Sequence, residues 1–167
     1  GEERKKQGIH YTPEPIARAL AVGGILPRLE RRGRDRGLMG LSRDTLLRVY
    51  AGDRTALDPH VAEQLLEELR DLKILDPAVG SGSLLVACLE VLLAIEKGLK
   101  KTIGEDLQKG SLAWAKSARH FITECLYGVD ISVEAVDVAR LRLWLVLAVG
   151  ESRPAALPDL GYNLRVG

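Results

Sequence analysis

The stretch "SLLVACLEVLLAIEKG", residues 83–98, has a helical pattern that is apolar on nearly every side. A surface helix keeps one polar face, so this one must be covered on more than one side. It is reached through "KILDPAVGSG", a short apolar run from Lys73 that leaves through Asp-Pro and crosses two glycines. After it, "CLYGVDI" is a second buried strand, and "SVEAVDVARLRLWLVLAVG" a second helix with Ser132 as N-cap and Gly150 just past its end. "YNLRV" is a third strand. Strand, helix, strand, helix, strand is the pattern of an α/β fold, a parallel sheet covered by helices. Between the first helix and the second strand lies an insertion, residues 99–124, with helical character around Leu107 to Phe121.

The chain before Lys73 reads as helical. In "YTPEPIARALAVGGILPRLE", Thr12 serves as N-cap, Pro13 takes the first helical position, and Ile16, Ala19 and Leu20 share a face. Gly23, Gly24 and Pro27 are expected to interrupt or end that helix. Residues 28–37, "RLERRGRDRG", then read as a charged, solvated linker rather than a phosphate-contacting patch. "SRDTLLRVY" is a short helix. "LDPHVAEQLLEELRDL" is a stronger one, with Asp58 as N-cap, Pro59 at the first position and Val61, Leu65, Leu66 and Leu69 on its apolar stripe.

The glycine loop of residues 76–83 falls where open parallel sheets bind ligands, beyond the carboxyl ends of the strands. Gly80 and Gly82 permit positive φ and close approach of backbone, and the first N–H groups of the next helix lack intrahelical acceptors. Both features suit a polar or anionic group. No lysine follows Gly82 as a P-loop requires, and Leu85 stands where a dinucleotide fingerprint has its third glycine. Asp130, closing the second strand, is the acid a nucleoside's ribose hydroxyls need, about 50 residues on rather than the usual ~20 because of the insertion. A carboxylate near a helix start is also favoured by the helix dipole alone.

Together, "GIHYTPEPIARAL", "LDPAVGSGSLL" and "YGVDIS", in this order, resemble the cofactor-binding half of a γ-class adenine-N6 DNA methyltransferase of the restriction–modification and phage-defence type. The resemblance implies a partial Rossmann-like methyltransferase sheet (residues 73–167) preceded by an N-terminal helical region (residues 1–72), with S-adenosyl-L-methionine as cofactor. It implies that Tyr11, Thr12 and Pro13 close over the cofactor, with Thr12 near the methionine carboxylate. Asp76 and the backbone from Ala78 through Gly80, Ser81 and Gly82 would face the methionine amino and carboxylate ends. Asp130 would hold the ribose hydroxyls and Ile131 would pack beside the adenine. Leu84 stands where many relatives carry phenylalanine, apolar for apolar.

The catalytic segment of that family, Asn- or Asp-Pro-Pro followed by an aromatic residue, occurs nowhere in the 167 residues. The chain is therefore expected to be an N-terminal part of a larger enzyme, inactive alone. Its charge, +1 from 24 basic and 23 acidic residues, carries no polyanion signature, so double-stranded DNA would be contacted mainly by other parts of the parent, with a specificity or restriction subunit or domain as a further partner. Two other readings stand beside this one: a methyltransferase of RNA or protein glutamine, and a non-catalytic module binding cofactor or a partner within a defence complex. No apolar run is long enough to span a bilayer and "GEERKKQG" has no secretory h-region, so the expected location is cytoplasmic, away from membranes. Cys88 and Cys125 read as buried reduced thiols, and Trp114 and Trp144 as core residues. His10, His60 and His120 lack metal-ligand spacing.

Overall fold

A computed structural model describes residues 12–150 and 156–167. Its helical part comprises α1 (Glu14–Asp35), α2 (Arg43–Tyr50) and α3 (Pro59–Arg70). Then follow β1 (Ile74–Asp76), α4 (Ser83–Thr102), α5 (Leu112–His120), a π-helical turn (Phe121–Cys125), β2 (Leu126–Asp130), α6 (Val133–Gly150) and β3 (Leu164–Val166). The three strands form a parallel sheet in the order β1-β2-β3, with Ile74 opposite Leu126 and Gly128 opposite Leu164. The chain is α/β and mostly helical around a small parallel sheet, consistent with part of a Rossmann-like fold.

The all-round apolar helix is indeed central. From Leu85 to Leu99, α4 buries eleven residues, and it packs against α1, α2 and α3 as well as β2, α5 and α6. Helical region and sheet region share one continuous core. Gly98 lies so close to α2 that a Cβ there would sit 2.0 Å from the Val49 carbonyl oxygen. Glu96, fully buried, accepts from Arg70 Nη2 at 2.5 Å and from the Ser117 hydroxyl at 2.9 Å, so the one buried charged residue of α4 has a partner, as burial requires.

The N-terminal helix departs from expectation in three ways. Thr12 precedes the cap, and the N-cap position belongs to Pro13, with no side chain capping. The helix does not stop at Gly23, Gly24 or Pro27 but runs to Asp35 with Pro27 inside it. Burial of Ala17, Ala21, Ile25, Leu26, Leu29 and Gly33 along one stripe outweighs the hydrogen bond lost at the proline, a cost of about 3 kcal/mol. That stripe is not the one expected, for Ile16 and Leu20 are 54% and 56% exposed.

Residues 28–35 are accordingly helix rather than linker, and Arg32, with Arg36 just past the helix end, is paired within the chain. Arg32 reaches Glu68 at 2.5 Å and Asp71 at 2.7 Å, and Arg36 reaches Glu67 at 2.8 Å and Glu68 at 2.7 Å. These pairs clamp α1 to α3, leaving Arg32 and Arg36 neutralised. Asp58 and Ser132 cap their helices as expected, Asp58 accepting from the His60 N–H and Ser132 from Ala135, and Ser42 caps α2 by accepting from Thr45. The last helix continues through Gly150.

The π turn leaves carbonyls that an ordinary ladder would use. Buried Asn163 meets them, its Nδ2 donating to Ile122 at 3.3 Å, Thr123 at 2.9 Å and Leu126 at 3.0 Å. One face of the sheet is covered, with Leu126, Gly128 and Leu164 buried. On the other, Leu75 is 62% exposed and Arg165 is exposed. No described helix is long and apolar enough to cross a membrane.

Candidate functional site

The glycine loop is built from its first residue. Asp76 Oδ1 accepts from the Ala78 N–H at 3.1 Å and starts the turn. The Val79 N–H donates to the Val129 carbonyl at 2.9 Å, which ties the loop to the end of β2. Gly80, at φ +50°, donates its N–H to Asp130 Oδ2 at 2.8 Å. Gly82, at φ +79°, receives the chain into α4 as its N-cap, with no side chain capping the helix. The first N–H groups of α4 are thus left for solvent or ligand, at the positive end of the helix dipole.

Thr12, Leu20, Asp76, Ala78, Val79, Gly80, Ser81, Ser83 and Leu84 line a cleft of about 120 Å³. Five of the residues singled out in the sequence, Thr12, Asp76, Ala78, Gly80 and Ser81, therefore meet there. Pro13 follows Thr12 at the cap of α1, exposed. Gly82 is not among the lining residues; a Cβ on it would lie 3.0 Å from Ala139 Cα, so its bareness lets α6 come close. Tyr11 lies outside the described residues.

Asp130 is half-buried, and each of its oxygens accepts a backbone N–H, Oδ2 from Gly80 and Oδ1 from Ser132 at 3.0 Å. It fastens the loop across 50 residues of sequence. An ionised carboxylate has about four lone-pair sites, so two stay open. Ile131, beside it, is 87% exposed.

Sequence reasoning missed Leu20, Ser83 and, behind them, Arg142 of α6. Arg142 Nη1 lies 2.8 Å from Ser83 Oγ and 3.2 Å from Ser81 Oγ. Its signal was a charge inside an otherwise apolar helical run, a position charged residues rarely take without a partner.

The remaining candidates have ordinary places. Cys88 and Cys125 are buried free thiols, pushed up to about 12 and about 11 mainly by burial. Trp114 is buried and Trp144 donates to the Pro158 carbonyl at 3.1 Å. His60 is exposed, and His120 Nε2 lies 2.9 Å from the Arg70 carbonyl.

With this geometry in view, comparison with known proteins is specific. The family model for the MmeI DNA-methyltransferase domain matches residues 53–152, from the loop after α2 through β1, the glycine loop and β2 to the end of α6. The chain belongs to this DNA methyltransferase family. A relative in Methanocaldococcus jannaschii, described as a type II restriction enzyme and methyltransferase, is 34% identical over 177 aligned positions, covering 98% of this chain. DNA methyltransferase A of Bacillus subtilis is 29% identical over 148 positions, covering 86% of it. The chain spans 14% of the length of each of these relatives. No solved structure matches it.

Proposed function

We propose that this chain is the S-adenosyl-L-methionine-binding part of a γ-class DNA methyltransferase acting on adenine N6 in a restriction–modification or phage-defence system. The observation that carries the reading is the glycine-loop cleft: an uncapped helix start, Thr12, Asp76, Ser81 and Ser83 among its lining, and Asp130 bonded to the Gly80 N–H, in a chain of a DNA methyltransferase family. The residues present fit the cofactor. The cleft's 120 Å³ is below the ~300 Å³ at which pockets enclose a drug-sized ligand, so it suits the methionine end alone. The adenosine would then extend over the strand ends, its ribose on the open lone pairs of Asp130 and its base against exposed Ile131.

In this reading Tyr11, Thr12 and Pro13 close the cleft from the N-terminal side. Asp76 and Ala78 to Gly82 face the methionine amino and carboxylate groups. Bound there, the cofactor supplies an electrophilic methyl group. The protein's part is to hold it and to shape its surroundings, while the groups that present adenine belong to other parts of the parent, as does most contact with double-stranded DNA. Residues 73–167 form the methyltransferase part and residues 1–72 its helical support. The restriction-enzyme description of the Methanocaldococcus relative supports a restriction setting.

The test is calorimetric titration of the full-length protein with S-adenosyl-L-methionine, wild type against Asp130→Ala. Loss of a hydrogen-bonded charged group costs about 2 kcal/mol, roughly a thirtyfold rise in Kd. Equal Kd values would remove Asp130 from the site. Absence of binding to the wild type would remove the cofactor.

A further inference from the structure

Arg142 sits mid-way along α6 in "VARLRLWLVLA", where only Arg140 shares its polarity. The two arginines do different things. Arg140 pairs with Asp137 at 3.1 Å and donates to the Leu164 carbonyl at 2.6 Å, which ties α6 to β3. Arg142 turns to the glycine loop: its Nη1 is 2.8 Å from Ser83 Oγ, 3.2 Å from Ser81 Oγ and 3.3 Å from the Ser81 carbonyl. Among the described residues no carboxylate pairs with it. The two serines line the cleft, and Arg142 lies behind them, outside the lining.

Hydrogen-bond arithmetic then fixes what the hydroxyls can offer. A guanidinium has donors only, so both serine oxygens accept from it and their protons must point elsewhere. Ser81 Oγ and Ser83 Oγ are 3.2 Å apart, so one proton can be used between them. The other is free to turn into the cleft that both serines line, beside the open start of α4 and in front of a guanidinium that no carboxylate pairs among the described residues. A donor so placed calls for an anion, and charge-assisted bonds of this kind are roughly twice as strong as neutral ones.

We propose that Arg142 is a positioning residue: through Ser81 and Ser83 it sets a donor that selects a carboxylate-bearing ligand end, and it contributes nothing to holding a nucleoside. This rests on the cofactor reading above. The experiment compares two probes on the full-length protein, S-adenosyl-L-methionine, which carries the amino-acid end, and 5′-methylthioadenosine, which lacks it. Arg142→Gln is expected to raise the Kd of the first about tenfold and to leave that of the second within about twofold. Arg142→Lys, keeping the charge, should recover part of the loss. Because Arg142→Gln also loosens the loop, Ser83→Ala provides a variant with less risk to folding, expected to weaken only the first probe, by about threefold. Equal weakening of both probes would reduce Arg142 to a structural support and overturn the proposal, as would unchanged affinities in all variants. A wild-type protein that binds neither probe would overturn the cofactor reading itself, and this inference with it.

Discussion

The two ends of α4 are held in opposite ways. Its C-terminal half is sealed, with Glu96 fully buried on Arg70 and Ser117, and Gly98 in backbone contact with Val49. Its N-terminal end is left open, with no capping side chain at Gly82 and exposed residues around it, Ile131 at 87% and Leu20 at 56%. The contacts that seal α4 sit away from the cleft, so the first N–H groups of the helix need not be used for folding. Sites are built this way where ligand contacts and stability would otherwise compete for the same groups.

That contrast can be broken experimentally. The largest effect is expected at the sealed end: Gly98→Ala places a methyl against the Val49 backbone and should cost about 3 kcal/mol of stability, read from the urea midpoint. A loss below about 1 kcal/mol would mean that α2 is not pressed on α4. At the open end, Gly82→Ala combines φ +79° with a 3.0 Å approach to Ala139 and should cost about 2 kcal/mol. It should also weaken S-adenosyl-L-methionine in calorimetric titration, whereas Gly98→Ala, where still folded, should not. Similar cofactor losses in both variants would erase the distinction between the two ends.

The smallest effect concerns acid. Asp53, between α2 and α3, is held down from the usual 3.8 to about 2 by the Thr55 hydroxyl and N–H and by Arg48. A carboxyl depressed on folding adds stability that is present above 3.8 and lost as pH falls toward 2. Asp53→Asn should flatten the stability curve over that window, lowering stability near neutrality and converging on wild type at the acid end, as measured by denaturation at stepped pH. An unaltered acid limb would show that Arg48 and Thr55 do not favour the ionised form.

Much of this was legible in the sequence because the signals were local. Asp58-Pro59 opening α3, Ser132 opening α6 and the passage from Lys73 through two glycines into α4 each lie within a few residues. What was not legible depends on distance. Pro27 reads as a breaker until the buried stripe from Ala17 to Gly33 is known, and the charges after it read as solvated until α3 brings Glu67, Glu68 and Asp71 alongside. In the cleft, the position of Asp130 at a strand end was visible, but its bond to Gly80 was not. Arg142 acts across 61 residues on Ser81, beyond any local window. Leu20 read as sharing one face with Ile16 and Ala19, and that face is exposed, with Leu20 lining the cleft.

The bond between Gly80 and Asp130 also sets an order of events in time. A chain lengthening at about 5–20 residues per second presents Asp130 about 3–10 seconds after Gly80. Until then α1 to α4 can collapse on one another through short-range contacts, while the loop has no partner to fix it. The cleft is therefore later to take shape than the helices before it, and a ligand that fits it acts on a loop already joined to the end of β2.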